Sequence, residues 1–125
     1  MSDPSLNIRP LARSWRWMLG AAAAYNLMVG VPGLLTPGAA VSDRIVALLG
    51  ACFGVIYARV AWQPLRLAPA LWAGVLGKIG VVALMAPEVM AGRAVPGTGA
   101  ILAGDALFTL AFLAFLLGPA RRGTA

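Results

Sequence analysis

Histidine is absent from this chain, cysteine occurs once, as Cys52, and only four acidic residues stand against ten basic ones. Each shortage excludes chemistry. One thiol forms no intramolecular disulfide, and without imidazole a single chain cannot assemble the usual ligand sets for zinc, haem, copper or iron–sulfur centres. A histidine-based catalytic triad is excluded as well. No metal, no cofactor and no catalytic residue are expected, and the chain is not read as an enzyme. Charged residues of both signs total 11%, far below the quarter or so that coats a soluble domain.

What fills the space is apolar. Hydrophobic residues make up 61% of the 125 positions and the mean hydropathy is +0.86, which suits a protein whose outer surface faces lipid. Hydropathy and helix breakers predict a single integral membrane domain over 1–125, with spans at about 15–35, 45–62, 70–86 and 99–117. A bilayer core of roughly 30 Å needs about 20 helical residues. Between the spans lie Pro37 and Gly38, then Pro64 and Pro69, then Pro87, Gly92, Pro96 and Gly97, all read as stops. Such short connections predict an all-α transmembrane four-helix up-down bundle. Cys52, in an apolar run, is expected to be a small buried packing residue.

The net charge of +6 does not point to nucleic acid, because the arginines fall at span ends and not on a basic face with interleaved aromatics. Arg9, Arg13, Arg16, Arg59, Arg66, Arg121 and Arg122 belong to the tails and the middle loop; Arg44 and Arg93 lie on the opposite side, beside Asp43 and Glu88. The positive-inside bias then predicts an inner (plasma) membrane protein with both termini cytoplasmic. Trp15, Trp17, Trp62 and Trp72 map to that same interface, where an indole buries its ring and hydrates its N–H. Arg59 is expected to snorkel there. A cleaved signal peptide at the first span is the less favoured reading, since apolar sequence continues to Leu35. No lipidation motif occurs. Ser2 to Asn7 and Gly123 to Ala125 read as short disordered ends.

Small residues mark faces for close helix approach: Gly50 and Gly54 as G-x-x-x-G, Gly74 and Gly77 beside Lys78, and Ala100 with Gly104. The polar residues left inside the spans are Tyr25, Asn26, Tyr57, Lys78, Asp105 and Thr109. An ionisable group at membrane depth costs roughly 2.5 to 3.5 kcal/mol on insertion scales, so Lys78 and Asp105 are expected to face the bundle interior. Asp105 and Thr109 are four apart and share a helix face. Asn26 lies at similar depth, which predicts a central Asn26, Lys78, Asp105 cluster with Tyr25 or Tyr57 supplying a hydroxyl. Three alternatives stay open: a structural pair that pins helix register, a pair lining a ligand or proton site, or two residues that never meet.

A weak internal echo, with Pro37 and Pro87 closing spans one and three, admits a duplicated hairpin. The layout as a whole, with a basic amino tail, the segment Gly30-Val31-Pro32-Gly33-Leu34-Leu35-Thr36-Pro37, and a last helix that opens at Gly104-Asp105 and closes at Arg121-Arg122, resembles the DoxX-like small bacterial membrane proteins. That resemblance implies the four-helix membrane fold and carries over no functional residue. Small multidrug exporters share the size but keep an essential carboxylate in their first helix, where this chain has none. The leading expectation is a protein that binds or moves a small lipophilic or anionic molecule, or a proton, through Lys78 and Asp105. Its alternative is a non-catalytic accessory or assembly subunit, homo-oligomeric or part of a larger complex in the lipid bilayer. A third, minor reading makes Lys78 a base or Schiff-base nucleophile.

Overall fold

A computed structural model describes residues 11–123. The expected tails Ser2 to Asn7 and 124–125, together with Arg9, lie outside the described residues. The chain is all-helical there: α1 Arg13–Leu35, α2 Val41–Trp62, the short α3 Pro64–Leu67, a single 3-10 turn Ala68–Ala70, α4 Leu71–Met90, α5 Thr98–Leu117 and α6 Pro119–Gly123. Four of its helical segments are long and apolar enough to cross a membrane. Gly123, expected to open a disordered tail, is instead the last residue of α6.

The span centres fall where hydropathy predicts, and the differences are at the ends. The first connection is shorter than expected because α2 begins at Val41, with Asp43 in its first turn against the positive end of the helix dipole. The same connection is tied by Arg44, whose Nε donates to the Leu34 carbonyl at 3.1 Å and satisfies an end group of α1. Pro64 does not make a loop but starts α3, where its missing N–H is one that no helix start would use. Pro87 does not stop its span either. It sits inside α4 one turn from the end, and Ala91 N–H still donates to the Pro87 carbonyl at 2.9 Å. A proline there removes one backbone bond, which membrane helices tolerate. The chain then turns at Gly92, whose φ of +73° suits glycine alone among the common residues. With Pro37 beyond the end of α1 and Pro87 within α4, the proposed echo between the two halves loses its shared landmark.

Two hairpins build the bundle. α1 lies against α2 over most of its length and α4 lies against α5, while backbone approaches between the hairpins are few. The contrast follows from residue size. At Gly30 an added Cβ would stand 2.7 Å from the Ala47 carbonyl and the Ala51 nitrogen, and at Gly54 it would stand 3.1 Å from the Ala23 carbonyl. Glycine here lets two backbones touch. Between hairpins the space is filled by rings: Tyr57 lies against Gly74 and Tyr25 against Gly104. Trp15 meets Phe115 and Tyr57 meets Phe112, with ring centroids 5.6 and 4.9 Å apart. The core gathers around Leu19, Ala22, Val60, Leu71, Val75 and Phe112.

The outer surface carries Met28, Leu76, Leu84, Leu107 and Leu110 well exposed, large apolar side chains that suit a surface facing lipid. Cys52 is on this surface, contrary to the buried position expected of it. Gly77 also points outward, and an added Cβ at Gly77 or Gly50 would meet nothing within 4 Å. Those two glycines therefore make no close side-chain approach within the chain, whereas Gly54, Gly74 and Gly104 do.

Gly30→Ala should lower stability by about 1–3 kcal/mol through overpacking against backbone, while Gly77→Ala should leave the melting temperature in detergent unchanged or slightly raised. Equal melting temperatures for the two variants would contradict the packing described. In proteoliposomes, Cys52 should react with a lipid-soluble maleimide and resist a charged, membrane-impermeant thiol reagent.

Candidate functional site

Four apolar helices leave few places for a polar side chain, and the structure brings most of them to one. Lys78 comes from the buried face of α4 that also carries Leu71, Gly74 and Val75. Asp105 comes from the buried face of α5 that carries Leu102, Thr109 and Phe112. The Lys78 Nζ donates to Asp105 Oδ1 at 2.7 Å and to Asn26 Oδ1 at 3.0 Å. The Asn26 amide in turn donates from Nδ2 to the Gly50 carbonyl at 3.0 Å. One hydrogen-bonded line thus runs from α2 through α1 and α4 to α5 and touches every spanning helix.

Charge is what makes this line affordable. An isolated ammonium in a low-dielectric interior is costly, and pairing plus hydrogen bonding is the usual remedy. The side chains of Lys78 and Asp105 retain 6% and 12% of their exposure. A bond between two ionised groups is about twice as strong as a neutral one. Aromatic faces complete the shell: the ammonium lies 5.3, 5.7 and 5.8 Å from the ring centroids of Tyr25, Tyr57 and Phe108, within the range of a cation–π attraction. Two oxygens and three rings, drawn from α1, α2 and α5, enclose the one amine that α4 supplies.

The remaining sequence candidates take different parts from those expected. The Tyr25 hydroxyl donates to the backbone carbonyl of Ile101 and so ties α1 to α5 without reaching the ion pair. Tyr57 contributes its ring. Thr109 shares the face of Asp105, but its hydroxyl donates to the Asp105 backbone carbonyl at 2.7 Å and not to the carboxylate. A threonine in a helix commonly bonds the carbonyl one turn back. Phe108 was not singled out from sequence although it stands three residues after Asp105 and hence on the same side. The Gly50 carbonyl gave no sequence signal at all, because backbone acceptors carry no residue code.

Chemically the centre is an amine donor facing one carboxylate and one amide oxygen. Lys78 supplies donors only and Asp105 is the sole carboxylate, so the cluster favours an anion or a proton over a metal cation. Two surface grooves, of about 320 and 370 Å³, lie elsewhere, at the end of the bundle where α1 begins, α2 and α5 finish and α4 starts.

Asn26→Leu should destabilise the bundle by about 1–3 kcal/mol, because one ammonium N–H loses its acceptor and the Gly50 carbonyl loses the donor it has beyond its own helix. Thr109→Val should cost clearly less, since the hydroxyl serves only its own helix. Equal losses for the two would mean that the line through Asn26 does not carry the weight assigned to it.

Compared with family models, with curated proteins and with solved structures, the chain matches none.

Proposed function

We propose that this small multi-pass membrane protein binds or moves a small lipophilic or anionic molecule, or a proton, through the Lys78–Asp105 centre. One observation carries the reading: the ammonium is shared between a fixed carboxylate on its own hairpin and a neutral amide on the other. Few backbone approaches join the hairpins, so parting them breaks the Asn26–Lys78 bond and the Tyr25–Ile101 bond while the ion pair stays with α4 and α5. A carboxylate or phosphate entering the gap would take the donor that Asn26 leaves. A proton delivered to Asp105 would neutralise the carboxylate and release the ammonium toward an entering anion or toward Asn26. Tyr25, Tyr57 and Phe108 would supply the apolar contacts that a lipophilic anion needs.

The basic end of the bundle, with its tryptophans, supports an orientation with both termini cytoplasmic in a plasma membrane. The DoxX-like layout is part of the same proposal. A second reading has one observation in its favour: two hydrogen bonds and three ring faces already engage Lys78 within the chain. On that reading the pair is a structural clasp, and the protein is a non-catalytic accessory or assembly subunit.

The variant carrying both Lys78→Met and Asp105→Asn separates the two, because it removes both charges together and leaves neither one unpaired. Proteoliposomes holding a pH-sensitive dye report proton flux, and mass spectrometry of solvent extracts reports any co-purified anion. The binding reading predicts that the wild type shows flux or a bound anion and that the folded double variant loses it. Identical behaviour of the two proteins in both assays would leave the clasp alone standing.

A further inference from the structure

The end of the bundle away from Asp43 and Glu88 is unusual in its charge. Among the described residues, Asp43 lies in the first turn of α2, Glu88 is paired with Arg93 near the end of α4, and Asp105 is in the centre. No described carboxylate lies at the end that carries Arg13, Arg16, Arg59, Arg66, Arg121 and Arg122. At that end a groove of about 370 Å³ is lined by Arg16 from the first turn of α1, by Arg66 from α3, and by Trp62, Leu11, Pro64 and Leu65. Among the described residues, Arg66 donates to the neutral Gln63 oxygen alone, at a long 3.5 Å. Trp62 is 72% exposed, as an indole at the headgroup level would be.

Two guanidinium groups from different helices and an apolar wall share this one groove. Guanidinium forks match phosphate oxygens, and the wall of Trp62, Leu11 and Leu65 matches hydrocarbon. The occupant must therefore be anionic at one end and apolar at the other, and it must be present where a spanning helix meets its loop. We propose that this groove binds an anionic phospholipid of the surrounding leaflet, with the phosphate between Arg16 and Arg66 and an acyl chain along Trp62 and Leu65. Basic pockets between membrane helices recognise anionic headgroups by the same physics. The site is independent of the Lys78 centre and stands or falls without it.

Delipidated protein in detergent, titrated with phosphatidylglycerol or phosphatidylcholine and read by native mass spectrometry, tests the proposal. The wild type should prefer phosphatidylglycerol by about tenfold or more, in line with two arginines near an anionic surface. The variant carrying both Arg16→Gln and Arg66→Gln should lose that preference, and Arg44→Gln, at the opposite end, should keep it. Glycerol 3-phosphate at equal concentration should not displace the lipid, since it lacks the acyl chain. No preference in the wild type, a preference that survives the double variant, an equal loss in Arg44→Gln, or displacement by glycerol 3-phosphate would each overturn the assignment. Should the double variant fold poorly, Arg66→Gln alone, on an exposed side chain, should weaken the preference; an unchanged preference there overturns the site equally.

Discussion

A lysine amine held inside an apolar bundle is the constraint from which the rest of the architecture follows. A bilayer offers no water to that charge, so the protein must surround it with a counter-ion, further acceptors and polarisable faces. Asp105 provides the first, Asn26 the second, and Tyr25, Tyr57 and Phe108 the third. These partners reside on three helices besides α4, so meeting the needs of one ammonium fixes the relative depth and rotation of several helices together. Apolar packing against lipid does not supply that specificity, because lipid tails are as apolar as leucine and discriminate poorly between registers.

Glycine placement is subordinate to the same demand. Gly74 and Gly104 lie where a larger residue would strike the rings of Tyr57 and Tyr25, so their role is to admit the walls of the amine's enclosure. Gly30 and Gly54 serve another purpose, allowing α1 and α2 to meet backbone to backbone. The bundle is thus two hairpins with unlike seams. The α1–α2 seam is close and made of small residues, whereas the seam between hairpins is made of aromatic rings around a polar line. Rings can slide over one another with less loss than interlocked backbones, and the proposed opening places its motion at that second seam.

Much of this was legible in the sequence, for identifiable reasons. Lys78, Asp105 and Asn26 stand out because polar groups are rare in apolar spans, and their similar depth makes a meeting physically sensible while leaving open that Lys78 and Asp105 never touch; the structure joins them. The four spans were legible because lipid exposure enforces long apolar runs, and their ends were not, because Pro64 and Pro87 were read as breakers while membrane helices accept proline in a first or last turn. Which way a small residue faces is also poorly encoded: Gly54 and Gly77 look alike in composition, yet one touches a neighbouring helix and the other faces outward. Cys52 lies on the outer surface and not in the core for a related reason. In a soluble protein an apolar neighbourhood means the interior, but in a spanning helix it describes the lipid face as well.

Lys78 and Asp105 act as one unit in this bundle, and a double-mutant cycle in equilibrium unfolding tests this most directly. Lys78→Met and Asp105→Asn are measured singly and together in the same detergent. Each single change should cost roughly 3 to 5 kcal/mol, since it strands a buried charge, and the double variant should recover most of that loss. Simply additive losses, or single variants as stable as the wild type, would contradict the claim that this pair organises the bundle.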